Sequence, residues 1–169
     1  MQIARTRRLV LRQLVLADAR FLCRLLNEPS WLENIGDRGV RTIADAERYI
    51  QDKLIGTYAS LGFGMYLTLL GNDQTAIGLC GLVKRASLPE PDLGFAFLPE
   101  YWGNGYAFEA AVAVMHFARV TLGLSTLLAI VKPDNARSVR LLEKLDFTRE
   151  GEYRVPSSQE LVSLYGATL

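Results

Sequence analysis

A chain of 169 residues, 50% hydrophobic and 22% charged, suits one domain with a sizeable core and is too short for two full ones. Nineteen Lys and Arg against eighteen Asp and Glu leave a formal charge of +1, which gives no global electrostatic reason to expect nucleic acid or an anionic membrane as partner and makes any anion site a local one. Cys23 and Cys80 both lie in apolar stretches and His116 is the single histidine, arguing against a disulfide framework or a His-rich metal centre and fitting a reducing cytoplasm.

The segment Arg5–Arg12 is basic, but the short apolar run Leu9-Val-Leu between Arg8 and Arg12 falls far short of a signal-peptide core. Arg8–Arg12 reads as a short edge strand. Asp18 then precedes a helical pattern of Phe21, Leu22, Leu25 and Leu26 that stops at Asn27-Glu-Pro29. Thr42, with Asp45 three positions on, resembles a capping box, and Ile43, Ala46, Ile50 and Leu54 predict a second helix to about Tyr58. Leu54–Asn72 is uncharged, yet Gly56, Gly62, Gly64 and Gly71 suit a helix end and a buried strand better than a membrane span.

Phe63–Leu70 and Thr75–Lys84 are strand-like runs joined by Gly71-Asn-Asp73, the pattern of an antiparallel hairpin. Asp92–Leu98 reads as another strand. Tyr101-Trp-Gly-Asn-Gly-Tyr106 leads into an alanine-rich helix from about Tyr106 to Val120. Leu127–Val131 reads as a buried strand, Asn135 opens a helix with Val139, Leu142 and Leu145 on its apolar face, and Val162–Ala167 supplies a last strand or hairpin. No internal repeat or low-complexity tract interrupts the series. The order predicts a single domain over residues 1–169 with a mixed α/β sheet rather than strict strand-helix alternation.

The strand-to-helix turn carries the chemistry. Gly103 and Gly105 let an anion approach main-chain N–H groups at the positive end of a helix dipole; the alternative is a plain tight connection. A P-loop requires Lys-Ser/Thr after the last glycine, where this chain has Tyr106-Ala107. A Rossmann fingerprint requires a small residue at Phe108 and a βαβ unit near the start, so NAD is a poor candidate.

Tyr101–Ala110 does match a third pattern: it resembles the acyl-coenzyme A pyrophosphate loop of the GNAT acyltransferase superfamily, in the form of its RimJ/RimL-like branch. Arg8-Leu-Val-Leu-Arg12 with Asp18 resembles that branch's opening, and Asp92-Leu-Gly-Phe95 its fourth strand. Asn135-Ala-Arg-Ser138 and Leu142-Glu-Lys-Leu-Asp-Phe147, with Glu150-Gly151, resemble its closing signatures. The matches run in order from residue 8 to residue 151.

The resemblance implies a twisted mixed sheet of about seven strands, flanked by helices and splayed between its fourth and fifth strands to admit acetyl-CoA. It implies backbone pairing of Phe97 and Leu98 with the pantetheine arm, and a pyrophosphate site along Trp102, Gly103, Asn104, Gly105, Tyr106, Ala107 and Phe108. Asn135 is carried over as a cosubstrate contact or else a helix cap, and Lys144 as a phosphate contact or else a surface residue. The implied reaction is N-acetyl transfer to a primary amine, a protein N-terminus or a small molecule, without a metal. Asp92 is the candidate base, or a plain strand-end residue, and Ser138 the candidate donor to the departing thiolate. Leu142 stands where other GNAT enzymes have a catalytic tyrosine.

Departures are informative. Asn104 replaces a usual basic residue and removes a charge from the phosphate site, while Asp146 replaces a glycine suited to a left-handed helix end. His116 reads as a helix-surface or packing residue and Cys80 as a core residue rather than a nucleophile. Acceptor choice is expected in the first two helices and in residues 27–42 and 86–91, where Glu28, Glu33 and Asp37 would attract a cation or form a solvated face. Trp31 would pack the acceptor or anchor the loop. A non-catalytic acyl-CoA-binding module is the alternative, and an exposed last strand would offer a route to a homodimer.

Overall fold

The computed structural model describes every residue from Met1 to Leu169. One eight-stranded sheet forms its spine, built from β1 (Gln2–Arg5), β2 (Leu9–Arg12), β3 (Met65–Leu70), β4 (Ala76–Val83), β5 (Asp92–Phe97), β6 (Thr126–Val131), β7 (Thr148–Arg154) and β8 (Leu161–Thr168). The spatial order is β1-β2-β3-β4-β5-β6-β8-β7. Every neighbouring pair is antiparallel except β5 with β6.

That parallel pair decides the shape of the molecule. β5 meets β6 at one register position, Asp92 opposite Leu128, and Leu128 N–H donates to Pro91 O (3.0 Å). Beyond it the strands part, so the sheet opens as a V with β5 on one wall and β6 on the other. In the seven-strand count expected from sequence, these are the fourth and fifth strands.

The additional strand is β1, which pairs with β2, so Arg8–Arg12 contributes an interior strand and not an edge. At the other end β8 lies between β6 and β7, so the last strand is not the exposed one. β7 is largely exposed and charged along Thr-Arg-Glu-Gly-Glu-Tyr-Arg and owes its conformation to pairing with β8.

Helices cover the spine. α1 (Ala19–Leu26) buries Ala19, Leu22, Leu25 and Leu26, and Asp18 before it accepts from both Arg12 Nη atoms (2.8 Å each) and from Val15 N–H (2.8 Å). Pro29 does more than end that helix: it occupies the first turn of a short α2 (Pro29–Asn34), where its missing N–H costs nothing. α3 (Ile43–Tyr49) starts at the anticipated capping box, with Asp45 N–H donating to Thr42 Oγ1 (3.1 Å) and Thr42 N–H to Asp45 Oδ2 (2.9 Å). A π-helical turn over Ile50–Ile55 links it to α4 (Gly56–Leu61), so the predicted second helix is continuous in path but changes winding.

α5 (Tyr106–Val120) buries Ala110, Ala111, Val114 and Ala118, small residues that let it lie close to the sheet. Tyr66 of β3 stacks on Tyr58 of α4 (5.8 Å between centroids) and meets Phe117 of α5 edge-on (6.0 Å). α6 (Ala136–Lys144) follows β6 and buries Leu142. No helix is long and apolar enough to cross a membrane.

Candidate active site

The site grows from the end of β5. Its register with β4 is unshifted from Gly78 opposite Phe97 to Val83 opposite Asp92. Antiparallel pairing alternates the direction of backbone groups, and Leu98 N–H donates to Ile77 O (3.0 Å), so even-numbered residues face β4 and odd-numbered ones face the opening. Leu98, expected beside Phe97 to pair with the cosubstrate arm, has no free backbone group, because its carbonyl accepts from Tyr101 N–H (3.0 Å). The open edge lies earlier, on Phe95 and the Phe97 N–H. Phe97 O is already taken by Trp102 Nε1–H (2.8 Å).

A short 3-10 turn, Pro99–Tyr101, then carries the chain to Gly103 and Gly105, whose φ values of 79° and 77° are left-handed and suit glycine. Asn104 spends its side chain on the turn, donating from Nδ2 to Tyr101 O and Trp102 O (3.2 Å each). None of the six main-chain N–H groups from Gly103 to Phe108 has an acceptor within the chain. Six free donors at the start of a long helix form an anion-binding concavity.

Three cations surround this run although the loop itself has none. Arg8 Nη1 donates to Asn104 O (2.9 Å) and its guanidinium covers the Tyr106 ring (4.7 Å to the centroid). Arg137 of α6 lies over the Trp102 ring (3.8 Å) and Lys144 Nζ over Phe108 (4.5 Å). Arg8 is itself paired with Glu109 (2.6 Å), so the charge absent at Asn104 is available from Arg137 and Lys144 of α6. Ala107 is half-buried in the first turn of α5.

A cavity of about 920 Å³ adjoins Gly105 and runs between residues 3–8 and the exposed face of α5, with Phe108, His116 and Lys144 on its wall. His116 is a surface residue, as one of its sequence readings held. Cys80 is fully buried and burial pushes its thiol up, which disfavours a thiolate nucleophile.

Asp92 sits at the apex of the V, 2% exposed, with Arg85 Nε donating to Oδ1 (2.9 Å) and Nη2 to Oδ2 (3.3 Å). Burial pushes its carboxyl above the ordinary range, and Arg85 opposes that shift without cancelling it. On the opposite wall Asn135 caps α6, its Oδ1 accepting from Ser138 N–H (3.2 Å), while its Nδ2 and the half-buried Ser138 hydroxyl have no partner in the chain.

Residues 27–42 and 86–91 are more committed to internal contacts than their composition suggests. Trp31 is buried and donates from Nε1 to Gly36 O (3.0 Å), the anchoring alternative. Asp37 is paired with Arg41 (2.5 Å) and Glu28 with Arg24 (3.7 Å). The loop after β4 is tied across the sheet by a hydrogen bond between the Ser87 and Tyr153 hydroxyls. No three His, Cys, Asp or Glu side chains converge on one point.

Sequence reasoning missed Phe95, Arg137 and the partnership of Arg8 with Glu109. The first depends on register. The second has no local signal, and the third joins positions 101 residues apart. An acidic residue one turn into a helix that begins at an anion site was the available hint, because Glu109 there needs a cation.

Free loop donors, an open strand edge and a splayed mixed sheet define an acyl-CoA-dependent transferase fold, and the comparisons agree. The chain belongs to the GNAT acetyltransferase family: the model of the Acetyltransferase (GNAT) domain matches residues 8–148. It is an acetyl-CoA-dependent N-acetyltransferase. An uncharacterized N-acetyltransferase of Bacillus subtilis, YoaA, is 31% identical over 157 residues, covering 90% of this chain and 86% of that protein. The ribosomal protein uS5-alanine N-acetyltransferase of Escherichia coli is 30% identical over 101 residues, 58% of this chain and 52% of that protein. The ribosomal L7/L12 alpha-N-protein acetyltransferase RimL, solved in complex with coenzyme A, shares the fold with a TM-score of 0.84 at 19% identity, covering 100% of this chain and 98% of that one.

Proposed function

We propose that this enzyme moves the acetyl group of acetyl-CoA directly to a primary amine, a protein N-terminal amine or a small molecule, in a ternary complex. The observation that carries the reading is the run of six unpartnered N–H groups at Gly103–Phe108, next to an unpaired strand edge. A pyrophosphate matches the first feature and an amide-bearing pantetheine arm the second. Phe95 and Phe97 offer that edge. Lys144 and Phe108 flank the way into the large cavity, which has room for the nucleotide end.

Acetyl-CoA supplies a thioester whose carbonyl carbon accepts the amine. Asp92, directly or through a water, takes the proton of the incoming ammonium, whose ordinary pKa of about 10.4 keeps it charged at neutral pH. The N–C bond forms and the carbonyl electron pair moves onto oxygen, where an unpaired N–H of β5, that of Phe95 or Phe97, is available as donor. The C=O then re-forms as the C–S bond breaks, and the remaining ammonium-type proton on the attacking nitrogen passes to the departing thiolate, with the Ser138 hydroxyl hydrogen-bonding the sulfur or relaying that proton to it. Asn135 Nδ2 is free to hold the arm. The similarity to a uS5-alanine N-acetyltransferase favours a protein α-amine among the acceptors to be tested.

The test is calorimetric titration with acetyl-CoA, NAD serving as control, followed by thiol release from a panel of N-terminal peptides, polyamines, aminoglycosides and amino-acid derivatives. Saturable one-site binding and amine-dependent thiol release are expected. Ser138→Ala should lower kcat at least about tenfold while leaving the acetyl-CoA Kd within about twofold. No binding by folded protein refutes the reading, and an unaltered kcat removes Ser138 from it.

A further inference from the structure

We propose that Arg8 is a positioning residue of the cosubstrate site: from the N-terminal turn it fixes the Asn104 carbonyl, and through it the direction of the Gly105 N–H. The inference rests on the acyl-CoA reading above and adds a component to the same site.

The Asn104–Gly105 unit is planar and trans, so its C=O and N–H point in opposite directions. Anchoring Asn104 O on Arg8 Nη1 (2.9 Å) therefore turns the Gly105 N–H away from Arg8 and into the run of free donors. The freedom that lets Gly103 and Gly105 adopt left-handed φ values also lets the intervening peptides rotate. Within the loop, only the Asn104 side chain resists that rotation.

Arg8 is itself immobilised. Its Nε donates to Glu109 Oε2 (2.6 Å) and its backbone N–H to Glu109 Oε1 (3.0 Å), while Thr6 Oγ1 donates to the same Oε1 (2.5 Å). The Tyr106 ring underlies the guanidinium. Glu109 stands one turn into α5, so Arg8 joins the loop to the helix it opens, and its charge offsets a carboxylate that would repel an arriving phosphate. Every Arg8 contact described is to protein groups, which makes its role one of positioning.

The experiment measures acetyl-CoA affinity by calorimetry for the wild type, Arg8→Ala, Arg8→Lys and Arg119→Ala, with unfolding midpoints of the ligand-free proteins. Arg119, exposed at the far end of α5, controls for loss of a positive charge. Arg8→Ala is expected to weaken binding about tenfold and Arg8→Lys, which keeps charge but not the fork, about threefold; Arg119→Ala should match the wild type. With an acceptor from the amine panel, Arg8→Ala should raise KM for acetyl-CoA while kcat stays within about twofold. Affinity unchanged in Arg8→Ala, or equal losses in Arg8→Ala and Arg119→Ala, overturns the proposal. If Arg8→Ala does not fold, Arg8→Lys decides by the same measure, and wild-type affinity there overturns it. Failure of the wild type to bind acetyl-CoA overturns the cosubstrate reading as a whole, whereas wild-type binding with an indifferent Arg8 overturns only this inference.

Discussion

Two opposing influences act on Asp92. Burial raises the cost of its charge and lifts its pKa, and the Arg85 fork lowers that cost without restoring the ordinary value. A carboxylate that holds its proton more firmly is a better acceptor for an ammonium proton near neutrality. The expected signature is an acidic limb of the kcat profile above the ordinary aspartate value of about 3.9, with activity falling as pH drops through it. Arg85→Gln removes the stabilising charge and should move the limb to higher pH. Asp92→Asn should remove it and lower kcat by about 10² or more, the range of general-base catalysis. The stability consequence has the opposite sense: folded Asp92 binds its proton more tightly than the unfolded chain does, so this group's contribution is present at low pH and is lost as pH rises through the raised pKa. Urea unfolding of wild type and Asp92→Asn across that range checks the sign.

At the scale of elements, α6 shows what a local motif dictates. Phe147 N–H donates to Leu142 O (3.0 Å) and Asp146 N–H to Glu143 O (3.1 Å), with Leu142 and Phe147 both buried, the arrangement of a Schellman motif. It requires a left-handed residue at position 146, and Asp146 has φ 63°. Asp146→Gly is expected to stabilise the protein by about 0.5–1 kcal/mol, read as a rise in the urea midpoint at unchanged slope. This strain was legible in the sequence, as were the Thr42 capping box, the glycine turn and the four central strands, because each depends on residues within a few positions of one another. β1 and β7 were not legible as strands, since neither has a core-facing alternation and both take their form from a neighbour. That the open edge includes Phe95 and the Phe97 N–H but not Leu98 was not legible for a related reason: which backbone groups face outward is fixed by register against β4, a property of two segments together.

The whole molecule is two sheet segments joined at one register position, β1–β5 on one side and β6, β8 and β7 on the other. A ligand that binds only the folded form stabilises it by mass action, about 2.7 kcal/mol at a concentration one hundred times Kd, or roughly 5–10 °C in a domain of this size. Acetyl-CoA should produce a rise of that order in thermal unfolding, and NAD should produce none. The two outer strands of the sheet both carry register irregularities, between Gln2 and Ala4 in β1 and between Arg149 and Gly151 in β7. Such defects discourage edge-to-edge association between copies. The unshifted strands with unsatisfied hydrogen-bonding capacity, β5 and β6, are turned inward to face each other. A feature that on the perimeter would invite indiscriminate polymerisation is thereby sequestered inside a wedge, where access by size and shape converts a hazard of β-architecture into selectivity for a slender amide chain.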